Sequence, residues 1–200
     1  MRDALQALYR AQSQGYQHDY RRQAQVLDVD MSGMPAGRQG EEVTKGYFSD
    51  QKNRRGRQLG RTLYDEIVVE RLYNGKRQLN KSLLELVEAA SQVLELNDES
   101  RQRVILRVDA GGGTVDNING MLQQGYQVLV KLKTWTQARK LAGSVSAWYP
   151  DLKVEGREVG WVEALYAYDK PTRQLAIRKR KANDKWSYHV LVFTLTNDQL

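Results

Sequence analysis

The sequence contains no cysteine, and it has only two histidines in 200 residues. Without cysteine the chain can form no disulfide bond, no thiol nucleophile and no cysteine-ligated zinc site. His18 and His189 lie far apart in sequence and have no partner at metal-ligand spacing, which argues against a histidine-rich metal centre and against a Ser-His-Asp triad. Each histidine is interpreted as an ordinary surface or core residue.

Long apolar runs are also missing, and acidic residues are few. The first residues lack the apolar segment of a secretory signal, and no run approaches membrane-spanning length, so we expect a cytoplasmic protein with no membrane partner. Asp and Glu number 24 against 31 Lys and Arg, which gives a formal net charge of +7. This excess favours an acidic partner, most commonly nucleic acid, and hence an association with the nucleoid. A basic protein without such a partner is the alternative.

The pattern of apolar residues divides the chain near Pro150 into an α/β core, residues 1–149, and a β-rich extension, residues 150–200. Helices are predicted over residues 2–24, 81–96, 114–124 and 136–147. Strands are predicted over residues 25–30, 43–48, 58–73, 104–108, 126–132, 159–168, 174–178 and 188–195, with turns or loops over 31–40 and 52–57. The strand-helix-strand unit within residues 104–132 predicts parallel neighbours, whereas the strands after Pro150 are expected to be antiparallel.

Two of the apolar runs end in aspartate. Residues 26–30 read Val-Leu-Asp-Val-Asp, and residues 104–109 read Val-Ile-Leu-Arg-Val-Asp. Open α/β sheets form their ligand crevices at the carboxyl ends of strands, where two carboxylates would suit a hard divalent cation, Mg²⁺ or Mn²⁺. Such ions commonly serve phosphodiester cleavage. The alternative makes Asp28 and Asp30 polar residues of a strand edge and Asp109 a helix cap.

Three glycines, Gly111 to Gly113, separate the second aspartate from the helix that follows it. Their backbone amides could be exposed to a phosphate, with assistance from the helix dipole. The alternative is a tight strand-to-helix turn that needs positive φ. Residues 109–116, Asp-Ala-Gly-Gly-Gly-Thr-Val-Asp, also resemble a phosphate-binding motif of the actin-like ATPases, which makes an ATPase fragment one of the alternatives.

A resemblance over nearly the whole chain is to the DDE transposases of bacterial insertion sequences, in the group whose β-rich insertion separates the second and third catalytic acids. Residues 27–32, Leu-Asp-Val-Asp-Met-Ser, resemble the first-aspartate strand of that family, in which Ser or Thr follows the Asp by two positions. Residues 107–111, Arg-Val-Asp-Ala-Gly, are similar to its second-aspartate motif. Other segments of this chain resemble further strands of that family, namely residues 46–48, the strands up to residue 75, and residues 125–131.

The resemblance implies a ribonuclease H-like mixed sheet flanked by helices, with a C-terminal antiparallel β-rich extension. It implies Asp30 and Asp109 as catalytic metal ligands and so selects Asp30 over Asp28, which stays a possible ligand because it lies on the same strand face. It also implies cleavage and strand transfer on double-stranded DNA, at the transposon ends and in the target. The family places a third acid, Glu, in a Tyr-x2-Arg-x3-Glu-x6-Lys pattern, and no Tyr here has Arg three residues later. We therefore expect the chain to be truncated before that Glu. Glu155, Glu158 and Glu163 are weak substitutes.

Two basic clusters are candidates for contacts with DNA phosphates. The residues predicted to bind DNA are Arg54, Arg55, Arg57, Arg178, Lys179, Arg180 and Lys181, with Trp186 as a base-stacking side chain. The alternative interpretation is that these basic residues lie in solvated loops and that Trp186 packs in the core. Because the third acid is missing, the alternative to an active transposase is an inactive remnant that binds DNA. A homodimer is possible, and another chain could supply the third acid.

Overall fold

The computed structural model describes residues 2–37, 39–41, 43–44 and 54–196. The predicted strand over residues 43–48 lies mostly outside these ranges, as does Lys52 of the basic loop. The described helices are α1 (Arg2–Gln12), α2 (Leu83–Val93), α3 (Asp98–Arg101), α4 (Val115–Gln123) and α5 (Trp135–Ala142). Within the described chain, no helix has the length and apolar character needed to cross a membrane.

The strands join into a single mixed sheet. They are β1 (Gln25–Pro35), β2 (Arg54–Thr62), β3 (Ile67–Tyr73), β4 (Val104–Val108), β5 (Gln127–Lys131), β6 (Tyr149–Pro150), β7 (Arg157–Trp161), β8 (Arg173–Arg180) and β9 (Trp186–Phe193). Their spatial order is β3-β2-β1-β4-β5-β9-β8-β7-β6. β1, β4 and β5 are parallel neighbours, and the other neighbouring pairs are antiparallel. The expected α/β class and the parallel β4-α4-β5 unit are therefore confirmed.

The core lies on one face of this sheet. Alternate residues of the central strands are buried there, namely Leu27, Val29, Leu106, Val108, Val128 and Val130. Helices α2, α4 and α5 pack on this face and contribute apolar stripes such as Leu83, Leu86, Val87 and Ala90 of α2. Since side chains alternate along a strand, the intervening residues point away from the helices. We call this opposite surface the open face.

The β-rich segment continues the same sheet. β9 pairs with β5, with Val192 opposite Val130. Helix α5 packs over β8 and β9 through Ala138, Leu141 and Ala142, which are buried. The hydrophobic core therefore runs on from β5 into β9, and the division of the chain near Pro150 stays a prediction.

The first helix is shorter than predicted, ending at Gln12 rather than residue 24. The next three residues leave the helix to bind one carboxylate, that of Glu66. Its oxygens accept hydrogen bonds from Ser13 Oγ at 2.7 Å, from the Gln14 amide at 2.8 Å and from the Gly15 amide at 3.0 Å. A Cβ on Gly15 would lie 2.8 Å from Thr62 Cγ2, so the close approach requires glycine. A contact to a residue so distant in sequence leaves no local periodicity to detect.

The turn predicted over residues 31–40 and the loop over 52–57 were also wrong in part. β1 continues to Pro35 because it pairs with β2 as far as Arg54, so Arg54 to Arg57 belong to a strand. The predicted strand over residues 58–73 is two strands, separated by a turn in which Asp65 has φ 62°. The predicted strand over 159–168 ends at Trp161, and α2 and α5 are each shorter than predicted at their C-terminal ends.

Replacing Glu66 with Gln tests the anchor of the N-terminal segment. Burial raises the pKa of the Glu66 carboxyl, but the hydrogen bonds from Ser13, Gly15 and Gln14 outweigh it, so the pKa lies below its ordinary value of 4.5. A lowered folded-state pKa means that the carboxylate stabilises the fold above pH 4.5 and that this stabilisation is lost as the pH falls through the lowered value. We expect Glu66→Gln to reduce the free energy of unfolding in urea by about 1–2 kcal/mol at neutral pH.

The difference from wild type should shrink in acid. Glu85→Gln is the matched control, because the Glu85 side chain is 63% exposed and lies 3.6 Å from Arg77. It should change stability by less than about 0.5 kcal/mol. Equal losses in both variants would contradict the anchoring role of Glu66.

Candidate functional site

Asp30 and Asp109 lie side by side on the open face. The parallel register of β1 and β4 ends with Val29 opposite Val108, and each aspartate is the next residue of its chain. Adjacent strands are about 4.8 Å apart, so the register brings the two carboxylates to neighbouring positions. Both are exposed and line a groove of about 480 Å³ on this face. The other side chains of the groove are Asp28, Arg61, Arg107, Leu129 and Leu191.

Each of these two carboxylates is oriented by one backbone amide. Asp30 Oδ1 accepts a hydrogen bond of 2.7 Å from the Met31 amide, and Asp109 Oδ1 accepts one of 2.7 Å from the Gly111 amide. Within the described chain the second oxygen of each carboxylate has no hydrogen-bond partner. Two fixed carboxylates with uncommitted oxygens fit a hard divalent cation that completes its coordination with water.

Asp28 has a different set of partners. Its carboxylate forms a two-pronged ion pair with the guanidinium of Arg107, in which Nη2 lies 2.5 Å from Oδ2. Arg61 Nη2 lies 3.9 Å from the same oxygen. The Asp28 side chain is only 18% exposed. Its negative charge is therefore committed to two arginines, which leaves Asp30 and Asp109 as the pair of available acids.

No third uncommitted acid joins the pair in the part of the chain that the structure describes. No group of three or more His, Cys, Asp or Glu residues there could hold a metal ion. Glu158 binds Arg178, and Glu163 accepts a hydrogen bond from Ser146 Oγ. Neither these residues nor Glu155 line the groove.

The three glycines are explained by packing. A Cβ on Gly113 would lie 1.9 Å from the carbonyl oxygen of Lys131, and one on Gly112 would lie 2.6 Å from Val108 Cγ1. The alternative of a strand-to-helix turn is confirmed, but its expected positive φ was wrong, because none of the three glycines has one. The amides of Gly111 and Gly112 donate to Asp109. These donors are therefore not free for a phosphate.

The helix after the glycines is capped by Thr114, whose Oγ accepts a 3.3 Å hydrogen bond from the Asn117 amide. The alternative role of Asp109 as the helix cap was therefore wrong. Asn117 is itself a residue that the sequence interpretation missed. It is buried in the apolar stripe of α4, and its Nδ2 donates to the carbonyls of Gly112 at 2.9 Å and Asn80 at 3.2 Å. A polar residue within an apolar helical stripe was the available signal.

Lys133 also binds the loop that carries Asp109. Its amide donates to the carbonyl of Gly113 at 2.9 Å, and its Nζ donates to Gln78 Oε1 at 2.5 Å and Asn80 Oδ1 at 2.8 Å. Burial lowers the pKa of Lys133, and the charge of Lys81 adds to this effect. The loop that carries Asp109 is thus held from outside at two consecutive residues, Gly112 and Gly113.

The two predicted DNA-binding clusters are not brought together. The first lies on β2 and the second on and beyond β8, with four strands between them. Arg54 and Arg55 begin β2 opposite Pro35 and Met34. Arg57 forms hydrogen bonds of 2.8 and 3.0 Å with Glu70, and this contact lowers the pKa of Glu70.

In the second cluster, Arg178 and Trp186 contact each other. The Arg178 guanidinium lies 4.3 Å from the ring centre of Trp148 and 4.5 Å from that of Trp186, and it also pairs with Glu158. Trp186 is half-buried in this stack. Arg180 pairs with Asp184 at 3.2 Å, whereas Lys179 and Lys181 are exposed at the β8–β9 hairpin.

No protein-family model matches the chain, and no curated protein matches it significantly. One solved structure with a similar backbone is described as a cryo-EM structure of a piggyBac transposase synaptic complex with hairpin DNA. The similarity has a TM-score of 0.49 and 11% sequence identity, and it covers 87% of this chain and 35% of that one. The chain thus spans about a third of the length of that transposase.

Replacing Gly113 with Ala tests the packing of the loop that carries Asp109. The added Cβ would meet the Lys131 carbonyl at 1.9 Å, so the backbone must move. We expect a loss of at least about 2 kcal/mol in the free energy of unfolding, measured by urea denaturation. Gly37→Ala is the matched control because no atom lies within 4 Å of its added Cβ. A Gly113→Ala protein as stable as the control would show that the loop relaxes freely.

Proposed function

We propose that this chain carries the catalytic core of a DDE-type DNA transposase, built on a ribonuclease H-like sheet, in which Asp30 and Asp109 bind Mg²⁺ or Mn²⁺. The observation that carries the proposal is the adjacency of these two carboxylates where the parallel pairing of β1 with β4 ends. Sheet order adds support, because β3-β2-β1 run antiparallel and β1-β4-β5 run parallel, as in a ribonuclease H-like sheet.

The divalent ions would supply activation of the attacking hydroxyl and stabilisation of the leaving oxygen at the scissile phosphodiester. The contribution of the chain is to hold the two carboxylates in place. Asp30 is held on β1, next to the end of its parallel pairing with β4, and Asp109 is held by the glycine loop, to which Asn117 and Lys133 donate hydrogen bonds. In this proposal residues 150–200 are the β-rich insertion, and double-stranded DNA is the substrate.

An inactive DNA-binding remnant is the second candidate. It is favoured by the groove itself, in which the only further acid among the described residues, Asp28, is already paired with arginine. The two candidates differ in a measurable way. The transposase core binds metal at Asp30 and Asp109 and nicks DNA with a metal ion, whereas the remnant binds DNA and does not nick it.

Calorimetric titration of Mn²⁺ tests the metal site. We expect Asp30→Asn and Asp109→Asn each to weaken Mn²⁺ binding by at least about tenfold, because each removes one of two anionic ligands. Asp98→Asn is the matched control, since that side chain is 98% exposed and lies on α3, before the amino end of β4. It should bind Mn²⁺ as the wild type does.

Equal Mn²⁺ affinity in all four proteins would rule out the proposed site. A supercoiled plasmid assay with the same proteins then separates the two candidates. Nicking that requires Mn²⁺ and is lost in both aspartate variants supports the transposase core. Mn²⁺ binding without nicking supports the remnant.

A further inference from the structure

Three charged residues form a row across the open face, next to the two available aspartates. Asp28 of β1 is the register partner of Arg61 on β2 and also of Arg107 on β4. All three side chains line the groove that contains Asp30 and Asp109. Because each lies on a strand at the centre of the sheet, the row is held by backbone pairing on both sides.

The row has an excess of positive charge. One carboxylate faces two guanidinium groups, whose side chains remain 58% exposed at Arg107 and 46% exposed at Arg61. The other acid near Arg61 is Asp65, at 3.4 Å, but its side chain is 87% exposed and solvent screens such a pair. Asp28 therefore orients Arg107 and leaves a net positive charge on the row.

The arginines also keep donors available for a ligand. Arg107 uses Nε and Nη2 for Asp28, which leaves both N–H groups of Nη1 without a partner among the described residues. A guanidinium that is already fixed by a two-pronged carboxylate contact loses little additional conformational entropy when it binds a second anion. Phosphate is an anion whose oxygen atoms match the donor geometry of a guanidinium group well.

We propose that Arg61 and Arg107, the latter oriented by Asp28, bind a backbone phosphate of the DNA that occupies the groove. Asp28 is then a positioning residue for Arg107. The inference rests on the proposed function for the identity of the ligand. Residues two positions apart on a strand are about 7 Å apart, so a phosphate on this row would lie at about that distance from a divalent ion held by Asp30 and Asp109.

Salt dependence of DNA binding tests the proposal. Fluorescence anisotropy with a labelled duplex of about 20 base pairs, in EDTA and between about 50 and 200 mM KCl, gives the slope of log K against log salt. Arg107→Gln and Arg61→Gln should each reduce the magnitude of that slope by about 0.9, and the double variant should reduce it by about 1.8. Arg22→Gln is the control, because Arg22 is 88% exposed and precedes the amino end of β1.

Arg107→Lys provides a second variant in case loss of the charge impairs folding, which is checked by thermal unfolding. It keeps the charge but not the two-pronged contact, so the slope should be retained and the affinity reduced. Unchanged slopes in Arg61→Gln and Arg107→Gln, an equal change in Arg22→Gln, or an effect confined to an RNA duplex would overturn the proposal. So would a wild-type protein that does not bind the duplex.

The metal-free conditions keep this test separate from that of the proposed function. Mn²⁺ binding at Asp30 and Asp109 together with unchanged slopes would retain the proposed function and remove the arginine site. Reduced slopes without Mn²⁺ binding would retain the arginine site and remove the proposed metal site.

Discussion

The parallel pairing of β1 with β4 is the constraint on which the rest of the structure depends. Its register places Leu27 and Val29 beside Leu106 and Val108 on the buried face, where α2 and α4 cover them. The same register fixes the opposite face, because side chains alternate along each strand. A slip of one residue would expose the apolar set and bury the aspartates. Burial of the core and assembly of the site are therefore two results of one pairing.

The sequence was sufficient to predict the parallel part of the fold. β4 and β5 are continuous apolar runs, and the helix between them has an apolar stripe, so local patterns carried the information. The predicted strand end is confirmed for Asp109, which follows β4, but it was wrong for Asp30, because β1 continues to Pro35. The N-terminal helix was overestimated because its end depends on Glu66, more than fifty residues away. The strand Arg54–Thr62 was only partly recognised because its basic first residues resemble a loop.

The roles of individual charged residues were harder to predict. Sequence spacing put Asp28 and Asp30 on one strand face and could not distinguish them, whereas the pairing with Arg107 does so. Likewise, a basic cluster does not show which of its members are engaged. Arg178 is stacked between two Trp rings, and Arg57 is paired with Glu70, although both looked like solvent-exposed cations in the sequence. Such contacts join different strands and have no signature within a single one.

The two edges of the sheet carry a consequence for the behaviour of the protein at high concentration. An open sheet of nine strands exposes unpaired backbone groups that could recruit further strands from other copies. At one edge β6 has only two residues, and Pro150 lacks an amide hydrogen to donate. At the other edge Arg71 Nη1 donates to the carbonyl of Glu70 at 3.0 Å and so occupies an acceptor of β3. The β6 edge therefore offers little backbone for strand addition by another copy, and one acceptor of the β3 edge is already occupied.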